Sequence, residues 1–132
     1  MSALSNHLED ALMAAVYKGT SYTTPTNTYI ALFNSNPGED NSGTECTGSG
    51  YARYEMASGD WTAISNGSIS NATNVNFPAA TGVDWGTISH VGIYDASTAG
   101  NLLHYGALNS SVTVENSDVF VFAANQLTLT LE

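Results

Sequence analysis

The stretch Ile88-Ser-His-Val-Gly-Ile-Tyr94, Asp95-Ala-Ser-Thr-Ala-Gly-Asn101, Leu102-Leu-His-Tyr-Gly-Ala-Leu108 decides how the rest of the chain is read. Two runs rich in β-branched, aromatic and leucine side chains flank seven residues of turn chemistry, the pattern of two strands joined by a hairpin loop. Working outward, runs of the same kind recur at Val112–Val114, Val119–Phe122 and Leu127–Leu131 on one side. On the other side lie Thr28–Phe33, Tyr51–Met56, Trp61–Ile64 and Ile69–Phe77, and Gly, Asn, Asp and Ser separate them. Nine short strands at this spacing predict a mainly β fold, an antiparallel β-sandwich of jelly-roll-like type. Both faces of Thr28–Phe33 are largely apolar, as an interior strand requires. The closing alternation puts Leu127, Leu129 and Leu131 on the core side and Thr128 and Thr130 outside.

Only the beginning of the chain has a helical period. Leu8, Ala11, Leu12, Ala15 and Val16 fall on one face, which predicts one N-terminal α-helix over about residues 6–18. Asn6 with Glu9 three residues on resembles a capping box, and Lys18 followed by Gly19 suits a helix end. A helix this short is marginal alone, so its Leu8/Leu12/Val16 stripe must pack on its own sheet or on a neighbouring subunit. The remainder, about residues 27–132, forms the sandwich, and residues 1–132 read as a single domain.

The composition narrows the partners. Only 11% of residues are charged, against about 25% in an ordinary globular domain, so Ser, Thr, Asn and Gly must cover the surface. Lys18 and Arg53 face twelve carboxylates, a net charge of −10. Nucleic acid and anionic membranes are bound through clustered basic residues, and both are excluded as partners on that ground. A neutral or positively charged protein surface is the expected partner. No apolar run is long enough to span a membrane and no signal peptide is read at the start. Cys46 is the sole cysteine, so no disulfide forms within the chain. The sequons at Asn66, Asn71 and Asn109 are read as accidents of an Asn/Ser/Thr-rich sequence.

Three groups of residues invite chemistry, and each has a plainer role. His7, His90 and His104 have no metal-ligand spacing; His90 and His104 could approach across the hairpin, but a third ligand is missing, so satisfied, partly buried histidines are expected. Glu39, Asp40 and Glu45 share the Asn34–Gly50 stretch, which has almost no large apolar residue and reads as a long exposed loop. The cluster invites a calcium site, but its spacing is not that of an EF-hand and solvated carboxylates are the simpler reading. Asp60 and Asp84 each precede a tryptophan and could form an acid/base pair, although turn capping explains them better. No catalytic residue, cofactor or metal ligand is assigned. The candidate partner contacts are Leu8, Leu12, Val16 and Tyr17 on the helix and Glu39, Asp40 and Glu45 in the loop. Tyr22, Tyr51 and Tyr54 are further aromatics free to lie at an interface.

Taken together, Leu8-Glu-Asp-Ala-Leu-Met-Ala-Ala-Val16, Tyr29-Ile-Ala-Leu-Phe-Asn-Ser-Asn-Pro-Gly38, Gly50-Tyr-Ala-Arg53, Asn76-Phe-Pro-Ala-Ala-Thr81, Trp85-Gly-Thr-Ile-Ser-His-Val-Gly-Ile-Tyr-Asp95 and Gly100-Asn-Leu-Leu-His-Tyr-Gly-Ala-Leu108 span most of the chain. In this order and spacing they resemble small bacteriophage virion proteins labelled tail-fibre-like, which are similar to trimeric head decoration (cement) proteins. The resemblance implies a non-enzymatic virion structural protein of β-sandwich architecture that assembles as a homo-oligomer, a trimer. It implies residence in the virion after synthesis in the bacterial host cytoplasm and leaves head against tail open; the compact size, with no repetitive shaft or coiled coil, points to the capsid exterior. The expected function is a capsid decoration protein that binds and stabilises the lattice of the major capsid protein. The alternative is a tail-fibre or receptor-binding module that recognises a host glycan, and a carboxylate-pair or metal-dependent hydrolase using Asp60, Asp84, His90 and His104 is a distant third.

Overall fold

A computed structural model of the protein describes residues 2–131. The elements are β1 (Ser2–Leu4), α1 (Asn6–Lys18), β2 (Thr28–Phe33), β3 (Tyr54–Met56), β4 (Ser68–Ser70), β5 (Val75–Asn76), β6 (Gly86–Tyr94), β7 (Leu102–Val114), β8 (Val121–Phe122) and β9 (Thr128–Thr130). The hairpin that decided the sequence reading is the centre of the molecule. Strands β6 and β7 pair antiparallel, with Ile93 opposite His104 and Val91 opposite Gly106, inside a five-stranded sheet ordered β1-β7-β6-β2-β3. Two antiparallel ribbons, β4 with β9 and β5 with β8, form the second layer. The fold is thus an antiparallel β-sandwich with one N-terminal helix.

Period-two alternation, reset in β6 by the irregularity between Ile88 and His90, places Ile30, Leu32, Ile88, Val91 and Ile93 of the sheet against Val75, Phe77, Phe120, Phe122, Leu127 and Leu129 of the second layer. Each fully buried side chain of this kind contributes about 1.5–3 kcal/mol. The sheet's other face carries Ala31, Phe33, Tyr94 and Leu102. Phe33 and Tyr94 stack there with ring planes 6° apart. Gly92 makes room for them, because a Cβ at that position would lie 2.8 Å from Phe33 and 2.9 Å from Leu102. Interior strand β2 is apolar on both faces for this reason, with Ile30 through Phe33 all buried.

Several elements differ from the sequence reading. Helix α1 covers the expected residues, but its N-cap is Ser5, whose Oγ accepts from the Leu8 N–H at 3.2 Å and donates to the Leu102 carbonyl. The cap comes one residue before the Asn6/Glu9 pattern because Ser5 is also a tertiary anchor to β7. Gly19 closes the helix at φ 67°, as expected of its position. Strand β1 has no pattern of its own and exists through pairing with Leu4 opposite His104 and Ser2 opposite Gly106. Trp61–Ile64 is not a strand; it makes only an isolated bridge from Trp61 to Asn71, and Ile64 is exposed. The runs Leu102–Leu108 and Val112–Val114 belong to one strand, β7, in which Leu108–Ser111 swing out opposite the single residue Ser89. Leu127 and Leu129 are buried as expected, whereas Leu131 lies 48% exposed beyond the end of β9.

The ribbons are too short to hold themselves, and a buried amide ties them together. Asn71, fully buried, donates from Nδ2 to the carbonyls of Thr73 (2.8 Å) and Ala123 (2.9 Å) and accepts the Leu127 N–H on Oδ1 (2.9 Å). Its backbone N–H and carbonyl bond Leu127 and Asn125. The sequon at Asn71 therefore offers no reachable amide. Replacing Asn71 by Ala strands the buried Leu127 N–H and frees two part-buried carbonyls, and is expected to lower unfolding free energy by about 1–3 kcal/mol, read by urea denaturation. The exposed Asn109→Ala change should stay within about 0.5 kcal/mol.

Candidate functional site

The loop that carries the acidic candidates is not exposed throughout. Asn34 N–H bonds the Thr44 carbonyl at 2.9 Å, Cys46 N–H bonds the Leu32 carbonyl at 2.9 Å, and Pro37 and Cys46 are buried. The segment folds back along β2 because Glu45 has a partner inside. Arg53 holds Glu45 through two hydrogen bonds of 2.8 Å, one from Nε and one from Nη2. Its Nη1 reaches the carbonyls of Ala96 (2.9 Å) and Ala99 (2.8 Å), and its guanidinium lies 3.6 Å from the Tyr94 ring centroid. Tyr51 donates to Glu45 at 2.8 Å and accepts the Leu32 N–H at 3.0 Å, and the Tyr94 hydroxyl donates to Asn41 at 2.6 Å. Burial, then the Glu45 charge, pushes the Tyr51 phenol far up, so it stays protonated and works as a donor. Burial alone would lower the Arg53 pKa, but the Glu45 hydrogen bonds and charge outweigh it and hold the guanidinium above its ordinary value.

Of the sequence-predicted contacts, the structure groups some and separates others. Glu45 is tied into this internal network, away from Glu39 and Asp40, which remain on the surface. Asp40 accepts only from Ser42 Oγ at 2.7 Å, and among the described residues no group of three His, Cys, Asp or Glu could hold a metal ion. The surface pair lies beside the start of α1, where the Asn6 N–H bonds the Glu39 carbonyl at 3.0 Å. Leu8 and Leu12 are half-buried on the sheet side, while Met13, Val16 and Tyr17 are 59%, 69% and 73% exposed. Met13 was not singled out in the sequence because it falls beside the Leu8/Leu12/Val16 stripe, not on it.

The remaining candidates have structural employment. Asp60 accepts the Ala57 N–H at 2.9 Å and Asp84 accepts the Asn116 N–H at 2.7 Å, so both cap turns. Asp95 closes the β6–β7 loop by accepting the N–H of Asn101 at 2.7 Å and its Nδ2 at 2.9 Å. Tyr51 and Tyr54 pack against Phe77 in the core and are not surface aromatics. Ser89 Oγ lies 2.8 Å from His90 Nδ1. His104 is buried on the core side opposite Ile93, and its Nε2 has no hydrogen-bond partner, so it is not the satisfied histidine expected. Burial pulls its pKa below the imidazole value, against a smaller opposing pull from the Thr130 carbonyl.

What this geometry offers is surface and rigidity: a sandwich braced from within, an uncovered apolar helix face and an acidic exterior. The comparison with known families places a protein of this make-up in a virion. The chain matches the family described as Podophage GP4 fiber I protein gp80 over residues 3–130, and it belongs to that family of phage structural fibre proteins. No curated protein matches it. No described helix is long and apolar enough to cross a membrane.

Two outcomes test the internal network and the buried imidazole. Arg53→Met leaves Glu45 partly buried without its cation and is expected to cost about 2–4 kcal/mol of stability, with Glu45→Gln in the same chain restoring part of it in a double-mutant cycle. For His104, the unfolded chain takes up its proton first as pH falls below about 6.5, so its contribution is full above that value and shrinks toward the lower folded pKa. Urea melts from pH 7.5 to 5.5 should show wild type losing more stability than His104→Gln, and equal slopes would refute the assignment.

Proposed function

We propose that the protein is a non-catalytic subunit of a podophage fibre, and that it works by binding copies of itself and a particle protein through α1 and the adjoining acidic surface. The observation that carries this reading is the bare apolar face of α1, with Val16 and Tyr17 more than two-thirds exposed on a helix that has no fully buried residue. A single copy leaves that face in water, and apolar surface of this kind marks a protein contact. Glu39, Asp40 and Glu9 lie around the helix start and suit a basic or neutral partner. Membership of a family named for a fibre protein supports the fibre role over the capsid one.

A second reading, a decoration protein on the capsid exterior that steadies the major capsid protein lattice, draws support from the shape. One five-stranded sheet with two short ribbons is a compact module without a shaft or coiled coil among the described residues. Gold-labelled antibody on purified virions, with copy number by quantitative mass spectrometry, separates the two. The fibre reading expects a few tens of copies or fewer, confined to the tail. Label spread over the whole head in hundreds of copies would establish the decoration reading instead.

A further inference from the structure

His104 stands where the first and last strands close the sandwich. On β7 it lies one strand in from the edge of the five-stranded sheet, opposite Leu4 of the edge strand β1 on one side and Ile93 of β6 on the other. The residue is more than nine-tenths buried, and its Nε2 meets no hydrogen-bond partner. The Thr130 carbonyl, at the end of β9, is the single group that favours the charged ring. No charged side chain among the described residues joins it. Strands β1 and β9 carry none, His90 of β6 pairs with Phe33 on the outer face, and Glu9, Glu39 and Asp40 act instead on Tyr105, which packs on that same outer face.

An imidazolium has two N–H donors and no acceptor, so a second acceptor must reach the ring before it can hold a proton at this depth. Water is the acceptor at hand, and along the sheet only β1 separates the ring from it. Strand β1 is also the one least able to resist. It is three residues long, Ser2 and Leu4 are half-buried, Ala3 is exposed, and it leads into a helix with no fully buried residue. Its attachments converge on His104. Leu4 pairs with that residue, Ser5 donates to the Leu103 carbonyl from its N–H at 2.9 Å and to the Leu102 carbonyl from its hydroxyl, and Ser2 Oγ accepts the Thr130 N–H at 2.8 Å. We propose that protonation of His104 unlatches β1 and the Ser5 anchor of α1 from β7 and β9, a pH-sensitive device that opens this corner and leaves the rest of the sandwich folded. Acid then frees the start of the helix that carries Met13, Val16 and Tyr17, so the contact face proposed above loses its fixed orientation. The latch itself stands whatever α1 binds.

Amide exchange followed by NMR reads the latch in the free protein, with rates corrected for the intrinsic pH dependence of exchange. His7 lies on α1 itself, so the comparison is made in a His7→Gln background. The Ser5 and Thr130 amides are expected to lose up to about tenfold in protection between pH 7.5 and 5.5, the factor by which an imidazole with its ordinary pKa of about 6.5 favours the open form. The loss should change little with urea added below the unfolding transition, as a local opening does, and His104→Gln should abolish it. If that variant does not fold, the Ser5 and Thr130 amide shifts of the parent protein take its place and should titrate with the midpoint of the His104 ring protons. Flat protection, a loss that persists in His104→Gln, a urea dependence as steep as that of global unfolding, or amide shifts that follow another midpoint overturns the proposal.

Discussion

The Arg53–Glu45 ion pair is the constraint on which the outer face of the sheet depends. Arg53 draws the β2–β3 connection inward through Glu45, pins the β6–β7 loop through two carbonyls and covers the Tyr94 ring. Its side chain is only 7% exposed, so the charge has to be met within the fold, and a bidentate guanidinium–carboxylate pair with both Nη1 donors bonded to carbonyls is an arrangement that tolerates burial. In a chain with two basic residues, half of the cationic inventory is committed to holding two loops together. The acidity of the exterior follows directly.

Asn71 plays the matching role in the second layer. Two- and three-residue strands have too few ladder bonds to fix their own register, and a side chain that satisfies backbone groups of the β5 and β8–β9 connections supplies it. One layer is thus organised by a charge pair and the other by an amide. The apolar core between them contributes most of the stability but does not by itself decide where the connections run.

Elements written as a local pattern were legible in the sequence. The β6–β7 hairpin, the doubly apolar β2, the extent of α1 and the Leu127/Leu129 alternation follow from side-chain periodicity, which local sequence records. What was hidden depends on partners distant in the chain. Strand β1 is three residues defined only by β7, the Ser5 cap is chosen by its bond to Leu102, and the Asn34–Gly50 stretch looks polar and free until Arg53 is placed beside Glu45. At the candidate site, Leu8, Leu12, Val16 and Tyr17 were correctly placed on the helix, but which of them remain uncovered depends on the sheet beneath. Glu45 illustrates the opposite error, a carboxylate whose neighbours in sequence suggest solvent and whose neighbours in space are a guanidinium and a phenol.

The two tryptophans sit in unlike surroundings. Trp85 is 4% exposed, its indole N–H donates to the Ser49 carbonyl at 2.8 Å, and Gly48 lies against its ring. Trp61 is half-buried at the outer edge, where it donates to Thr28 Oγ1 at 3.2 Å beside Pro25 and Ile64. Their fluorescence therefore resolves the molecule spatially: a blue emission from the sandwich interior and a redder, quencher-accessible one from its margin. Replacing either indole leaves a single-site spectroscopic probe in a chain that otherwise reports on both regions at once.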